Sequence, residues 1–259
     1  EQNRSVFPAV IGQRTDTELT YNLNQYTADP ILIQNIEELQ ISYDKRKSIL
    51  MNTMSQLQIG VATQTLYAWA PSGASRQVRT SGSTSTLNLP HSTATGSRKM
   101  ITISDVTAVK AKLDADNIPQ NGRILLVPQY MYNVDLLNIS GIVQAYQFGT
   151  AIAPSGVVAR LMGFDIMIRS EVLVYDNTGT PVIKAINGNG SLTSAAAADN
   201  GAAIAFHPNY VCHALGTITP YYNENKAEYY GSLFSAEVMH GASKLRTDQK
   251  GIVALVQSA

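Results

Sequence analysis

Residues 104–130, SDVTAVKAKLDADNIPQNGRILLVPQY, decide the fold because they predict a helix, a turn and a buried strand in that order. Ser104 is of the residue type that begins helices, and Val106, Val109 and Leu113 recur at helical spacing. We therefore predict an amphipathic helix over about 105–116 that buries one face.

The second half of this stretch predicts a turn and a strand. Pro119 and Asn121-Gly122 are residues that end a helix and reverse the chain. Residues 123–127, RILLV, form a short apolar run of the kind found in strands buried on both faces. Pro128 then favours a short helix through Leu137.

The chain downstream of this stretch predicts mostly strands. The predicted elements are a helical turn over 142–148, strands over 157–161 and 164–170, an exposed loop over 187–201, a strand over 202–206, a short helix over 207–215, a long strand over 227–240 and a final strand over 251–256. Strand and helix do not alternate regularly, and the sequence has no internal repeat. We therefore predict a mixed α+β fold.

The chain upstream predicts an arm and a long helix. Residues 1–28 are polar with no helical period, which favours an extended N-terminal arm. Asp29-Pro30 is a strong helix start, and apolar residues from Leu32 to Leu57 recur on one stripe. This pattern predicts a helix of roughly 25 residues. Residues 61–70, which include Trp69, favour a strand.

Residues 72–98 differ sharply in composition from the rest, because twelve of them are Ser or Thr and few are apolar. A strand-like run follows over 99–103. Together these features predict a two-stranded excursion over 61–103 that projects about 45 Å at ~3.3 Å per residue. Such a hairpin has no core of its own, so we expect it to lie on another surface.

The excursion is also unusual in charge. No acidic residue occurs between Asp44 and Asp105, although the whole chain has 19 basic and 19 acidic residues. A basic segment on an otherwise acidic subunit favours binding to copies of itself. The alternative is that the segment is a nucleic-acid-binding arm, but the segment lacks the aromatic residues expected of such an arm. The residues predicted to contact a neighbouring subunit are Trp69, Arg76, Arg79, Arg98 and Lys99.

The composition excludes several classes of protein. Only 15% of the residues are charged, against roughly 25% in typical soluble domains, and Ser, Thr, Asn and Gln total 74. One cysteine rules out an intrachain disulfide, and no apolar run approaches the ~18 residues of a membrane span. The chain starts at Glu1 without an apolar signal core, so we expect a processed N-terminus or numbering from an internal residue.

The sequence offers no catalytic constellation. Cys212 and His213 are adjacent, so on a helix they point about 100° apart and do not converge on one metal ion. Cys212 lies among apolar residues, which predicts a buried, inert thiol. Nucleotide-binding and nucleophile-elbow motifs are absent. We therefore predict no enzyme activity, no cofactor and no catalytic or metal-binding residues.

The order of these segments resembles the major capsid proteins of tailed bacteriophages, which have the Hong Kong 97 type fold. Residues 104–130 are similar to the spine helix of that family and the segment that follows it. Residues 156–171 resemble its strand pair around Gly163, and the segments 203–216, 229–231, 238–246 and 251–255 resemble its closing section. The resemblance covers about two thirds of the chain.

The resemblance implies a division into capsid domains. They are an N-terminal arm (1–28), an N-terminal helix region (29–60), an E-loop hairpin (61–103), the spine helix of the P-domain (104–122), mainly A-domain (123–216), a P-domain return (217–248) and a C-terminal strand (249–259). The implied function is self-assembly into the icosahedral shell that encloses a double-stranded DNA genome.

The resemblance also implies partners and a location. The partners are copies of the chain in hexamers and pentamers, portal and scaffolding proteins, and decoration proteins. DNA is enclosed without sequence-specific binding, and no membrane is involved. The chain is expected in the virion after assembly in the host bacterial cytoplasm. Charge reversal at Arg76 and Arg79 is expected to weaken assembly while leaving the fold of the subunit intact.

Two alternatives stay open at this point. One is the shell protein of an encapsulin-type bacterial nanocompartment, which has the same fold. The other is a secreted carbohydrate-binding β-rich protein, which Tyr221, Tyr222, Tyr229 and Tyr230 favour.

Overall fold

The computed structural model describes residues 20–34, 45–139 and 159–259. The helices are α1 (Lys45–Trp69), α2 (Ile103–Ala115) and α3 (Gln129–Val134), with short 3-10 turns at Ala74–Arg76, Leu136–Asn138 and Pro208–Tyr210. The strands are β1 (Asn24–Thr27), β2 (Ile31–Gln34), β3 (Gln77–Arg79), β4 (Thr84–Ser85), β5 (Arg98–Lys99), β6 (Arg123–Pro128), β7 (Ala159–Leu161), β8 (Phe164–Arg169), β9 (Leu173–Tyr175), β10 (Asn200–Phe206), β11 (Val211–Leu215), β12 (Thr219–Lys226), β13 (Gly231–Lys244) and β14 (Ile252–Val256).

A seven-stranded mixed sheet carries the core. Its order is β3-β14-β10-β6-β8-β7, and β9 pairs with the end of β10. All residues of β10 and β14 are buried, as expected for continuous apolar strands covered on both faces. The strands predicted over 123–127, 157–161, 164–170, 202–206 and 251–256 are all present at or near those bounds.

Helix α2 covers one face of this sheet with the residues that the sequence predicts. Val106, Val109 and Leu113 are fully buried, and each such side chain contributes about 1.5–3 kcal/mol. The N-cap residue of the helix is Thr102, two residues before Ser104, the predicted cap. Thr102 Oγ1 accepts a hydrogen bond from the Asp105 backbone N–H, and the Asp105 carboxylate accepts one from the Thr102 backbone N–H.

The opposite face packs against the C-terminal end of α1. Leu66 and Ala70 join Ile204 and Ile252 in a second buried cluster, whereas Ala203 and Ala205 face the α2 side. The two clusters follow the alternation of side chains along β10. The sheet is therefore the central layer between α2 and α1.

A second sheet is built around β13, the longest strand. Five strands take part, but the register places them in three rows. Glu237 of β13 pairs with Thr27 of β1 on one edge and with Thr219 of β12 on the other. Strands β1 and β2 thus lie end to end along one edge, and β11 and β12 lie end to end along the other. The sheet is long and narrow, and α1 packs on one face of it.

The helix predicted from Asp29-Pro30 is wrong at its start, whereas its stripe residues Leu50, Met54 and Leu57 do lie in a helix, α1. Residues Ile31–Gln34 are strand β2, paired with Gly231–Phe234. Pro30 has no N–H to donate and lies in the gap between β1 and β2, where no ladder bond is needed. The part of the predicted helix over 35–44, the arm over 1–19 and the turn over 142–148 lie outside the described residues.

The strand predicted over 61–70 is also wrong, because these residues continue α1 as far as Trp69. The Thr63 and Thr65 hydroxyls donate to the carbonyls of Ile59 and Val61, four residues earlier, so these β-branched residues fit the helix. Burial of Leu66 against the sheet outweighs their local preference for strand.

The projecting hairpin over 61–103 is wrong as well. Strand β3 pairs in parallel with β14 inside the main sheet, and β4 and β5 form only a two-residue pair. Asn88 is fully buried and Arg98 is 3% exposed. Residues 77–80 and the buried residues Asn88 and Arg98 therefore anchor this segment on its own chain, so it is not a free hairpin that needs a second subunit to lie on.

One prediction near Cys212 is wrong too. Pro208–Tyr210 is a single 3-10 turn, and Val211–Leu215 is strand β11 instead of a continuing helix. The alternating pattern of β11 leaves the Cys212 thiol half-buried, where it donates weakly to the Ser243 carbonyl at 3.4 Å.

Candidate functional site

The predicted contact residues lie apart from one another, and most bind within their own chain. The Trp69 indole N–H donates to the Cys212 carbonyl at 3.0 Å, and its ring lies 5.2 Å from that of Phe206. The Arg76 guanidinium makes a two-pronged ion pair with Asp116. Charge reversal at Arg76 would therefore break this pair in addition to any effect on assembly.

The other three predicted residues line the segment that packs on the main sheet. The Arg98 guanidinium is buried and donates to the carbonyls of Ala197 and Asp199. The Lys99 backbone N–H donates to the Ser258 carbonyl at 2.8 Å. Arg79 is half-buried, and burial lowers the pKa of its guanidinium. A contact between subunits through these residues stays a prediction.

An apolar groove separates α1 from the β11 and β13 rows of the long sheet. Its volume is about 490 Å³. The residues that line it are Leu57, Gln58, Val61, Ala62, Thr65, Leu66, Trp69, Leu126, Arg169, His213, Leu215, Ile218, Val238 and His240. Leu215 is 56% exposed at its rim. Among the described parts of the chain, nothing fills this groove.

The ionisable groups of the groove are all basic. The Arg169 guanidinium donates to Thr63 Oγ1 at 2.7 Å and to the Ile59 carbonyl, but its Nη1 atom is buried without a partner in the described ranges. His240 is hydrogen-bonded to Thr65 Oγ1 at 2.8 Å, and burial lowers the pKa of its imidazole, helped by nearby His213. A carboxylate of a partner would therefore be favoured here over a cation.

A tyrosine-rich hairpin lies at the far end of the long sheet. We define the tyrosine hairpin as residues 219–231, which comprise β12, the turn and the first residue of β13. Residues 219–225 and 227–230 are exposed, although the Tyr221 hydroxyl donates to the Glu237 carboxylate. Tyr230 is 82% exposed and Tyr229 is 49% exposed. Large aromatic side chains in such positions are typical of protein interfaces.

The groove and the hairpin escaped prediction for different reasons. The groove depends on α1 extending to Trp69, whereas the sequence favours a strand there. The hairpin has a signal in the sequence, because the tyrosine pairs at 221–222 and 229–230 flank the polar run NENKAE, which is typical of a turn between strands.

The described residues offer neither a metal site nor a membrane-spanning helix. The described ranges hold no group of three or more His, Cys, Asp or Glu that could bind a metal ion. His91, Lys184 and the buried carboxylate of Asp199 form a small ion network that ties neighbouring loops together. None of the helices in the described parts is both long and apolar enough to cross a membrane.

The fold is similar to that of capsid subunits with solved structures. No family model and no curated protein matches the sequence. Solved structures do match, and the acidic stable capsid structure of Helicobacter pylori bacteriophage KHP30 aligns over 96% of this chain and 81% of its own. The TM-score is 0.58 at 11% sequence identity.

Two further structures support the same class. The mature capsid of bacteriophage PhiM1 covers 97% of this chain and 78% of its own, with a TM-score of 0.56 at 9% identity. The virus-like particle from Pyrococcus furiosus covers 93% of this chain and 80% of its own, with a TM-score of 0.53 at 13% identity. The chain therefore has an α+β capsid fold, as its sequence resemblance predicts.

Proposed function

We propose that this chain is the major capsid protein of a tailed bacteriophage, a structural protein that assembles into an icosahedral shell around double-stranded DNA. The observation that carries the proposal is the match of nearly the whole chain to phage capsid structures. Fold alone does not specify function, so the proposal also needs surfaces suited to assembly.

The subunit has such surfaces. The tyrosine hairpin and the apolar groove expose apolar and aromatic side chains. Monomeric proteins rarely expose large apolar patches, so these surfaces favour association with a partner. The low content of charged residues supports the same conclusion, because neutral polar groups cost less to desolvate than ions when a subunit is buried among copies of itself.

The finer parts of the proposal follow from the resemblance. We propose pentamers and hexamers as the units of the shell, contacts with portal, scaffolding and decoration proteins, and assembly in the host bacterial cytoplasm. We also propose a non-enzymatic role. The Hong Kong 97 type division into arm, E-loop, P-domain and A-domain stays a prediction, and its E-loop bounds of 61–103 do not coincide with a hairpin.

A second function has one observation in its favour. The match to the virus-like particle from Pyrococcus furiosus is nearly as good as the phage matches. This supports the encapsulin-type nanocompartment as an alternative, because such a shell needs the same subunit fold.

Electron microscopy of the purified chain tests the proposal. We expect closed shells of uniform size by negative staining, together with a particle mass far above 28.0 kDa by light scattering. Monomers alone, at concentrations up to the limit of solubility, would contradict a shell function. Particles purified from the native source distinguish the alternatives, because a phage head contains DNA whereas a nanocompartment contains protein cargo.

A further inference from the structure

We propose that the tyrosine hairpin of one subunit docks into the apolar groove of a second copy of the chain. This inference rests on the proposed shell function and names the pair of surfaces that joins two subunits. The hairpin is residues 219–231, and the groove lies between α1 and the β11 and β13 rows.

The geometry of β13 excludes docking within one chain. Gly231 ends the hairpin, whereas Val238 and His240 line the groove. Both sites lie on one continuous strand, and seven residues at about 3.3 Å each separate Gly231 from Val238 by about 23 Å. Tyr229 and Tyr230, at the tip of the hairpin, therefore cannot reach the groove of their own chain, so a hairpin tip that fills a groove must come from another subunit.

The chemistry of the two surfaces is complementary. The hairpin offers exposed tyrosines together with the carboxylates of Glu224 and Glu228, against a single Lys226. The groove offers apolar walls, and its ionisable residues are Arg169, His213 and His240. Tyrosine suits such a site because its ring buries apolar area while its hydroxyl reaches a polar partner.

The basic groups of the groove favour an acidic occupant. Arg169 lines the groove, and its guanidinium donates to Thr63 Oγ1 and to the Ile59 carbonyl. Glu171 lies near Arg169 but does not line the groove. The carboxylates of Glu224 and Glu228 on the hairpin of a neighbour would therefore be attracted to this groove.

The contact joins two different surfaces, so it repeats head to tail. Such heterologous contacts form closed rings when the rotation between neighbours closes. A ring of subunits joined in this way is the arrangement that pentamers and hexamers require. The same contact between two chains related by a two-fold axis would stop at a dimer.

Disulfide cross-linking tests the contact directly. Tyr230→Cys and Leu215→Cys, placed in a Cys212→Ser background, put one thiol on the hairpin and one at the groove rim. Leu215 pairs with His240, nine residues along β13 from Gly231, so a bond within one chain is excluded by the ~7 Å limit on Cα separation. We expect a ladder of dimers, trimers and higher bands after oxidation, resolved on a non-reducing gel.

A matched control replaces Leu215→Cys by Val182→Cys. Val182 is 60% exposed but does not line the groove, so this pair should give no ladder. Shells that are visible by microscopy without a ladder would overturn the inference alone. A groove covered by residues 1–19 or by a different protein would give this result. Dimers without higher bands would also overturn it.

The two proposals can fail separately. A ladder in the double variant without shells in the Cys212→Ser parent would support the contact and contradict the shell. The absence of shells in the parent together with the absence of a ladder in the double variant would overturn both.

A second pair of variants avoids reliance on engineered cysteines. Tyr229→Ser with Tyr230→Ser, and separately Leu215→Glu, should each lower the yield of shells roughly tenfold or more, since exposed aromatic anchors dominate interfaces. Val182→Glu should leave the yield unchanged, and thermal unfolding reports whether each variant is folded. Shells at the parental yield from the folded tyrosine variant would overturn the inference. If isolated subunits bind glycans and the tyrosine variant does not, the tyrosines form a carbohydrate-binding site instead of a contact between subunits.

Discussion

Asp135 is a buried carboxyl group at the end of α3 that holds the segment before α2 against the core. It is 1% exposed and accepts hydrogen bonds from the Asn88 side-chain amide at 3.0 Å and from the Ile101 backbone N–H at 3.1 Å. No cation pairs with it among the described residues. Burial raises the pKa of Asp135 to about 7, although the two hydrogen bonds oppose this rise.

The raised pKa predicts a stability that depends on pH. The folded chain binds the Asp135 proton more tightly than the unfolded chain, whose aspartate pKa is about 3.9. The contribution of this group is therefore complete below about pH 4 and is lost as the pH rises through about 7. We expect the free energy of unfolding of Asp135→Asn to fall less between pH 4 and 7 than that of the parent.

Urea unfolding of soluble subunits at several pH values measures this difference. Glu228→Gln is the matched control, because it removes an exposed carboxylate on the tyrosine hairpin. Parallel pH profiles for the parent and Asp135→Asn would show that Asp135 does not titrate in this range.

At the scale of elements, Thr102 and Ser104 both carry a hydroxyl group near the start of α2, but only the Thr102 hydroxyl caps the helix. Thr102 Oγ1 accepts from the Asp105 backbone N–H at 3.3 Å, whereas Ser104 is exposed inside the first turn. We expect Thr102→Ala to lower the free energy of unfolding by about 1 kcal/mol, and Ser104→Ala to change it by less than about 0.5 kcal/mol. Chemical denaturation of both variants measures this. A larger loss for Ser104→Ala would place the cap where the sequence alone puts it.

Elements with a strong local pattern could be predicted from the sequence. The buried stripe of α2 and the apolar runs of β6, β10 and β14 carry their own period, so their type and approximate bounds are confirmed. Helix α1 beyond Val61 and strand β2 could not be predicted, because their partners are distant in sequence. Leu66 packs on the main sheet, and Ile31–Gln34 pairs with Gly231–Phe234, about 200 residues away.

The segment over 72–98 misled prediction because some of its polar groups bind within the molecule, although most of its Ser and Thr residues are exposed. Thr80 Oγ1 donates to the Lys99 carbonyl, Ser81 Oγ donates to Asp105, and Arg98 donates to four carbonyl groups in all. A run of Ser, Thr and Arg predicts exposure only when such partners are absent. The composition of a segment does not show which groups its polar side chains bind.

The tyrosine hairpin at 219–231 is an exposed aromatic surface of the described structure. The capsid interpretation therefore stands on the whole fold and on different surfaces from those that the charge pattern indicates. Four of the five candidate contact residues from the sequence are basic, but the exposed surfaces are aromatic and apolar.

At the scale of the whole molecule, the balance of charge predicts weak affinity for nucleic acid. The chain has no net charge, and of its seven basic residues between Asp44 and Asp105, Arg76 is paired with Asp116 and Arg98 is buried. Release of counterions from phosphates by lysines and arginines supplies most non-specific binding, and a chain with no net charge has no excess of these residues. The proposed shell would therefore enclose DNA without binding it tightly.

We therefore expect isolated subunits not to shift a 30-base-pair DNA duplex in a gel at about 0.15 M salt. At this salt concentration, proteins that bind DNA non-specifically still have dissociation constants of roughly 10⁻⁴–10⁻⁶ M. The matched control is the same chain with six lysines added after Ala259, which should shift the duplex in a strongly salt-dependent manner because each added phosphate contact steepens the dependence. A shift by the unmodified chain that weakens with salt would favour the nucleic-acid-binding arm over self-association as the role of the basic segment. Charge reversal at Lys99, whose side chain is half-buried, would then weaken the shift and lower its salt dependence without reducing the yield of shells.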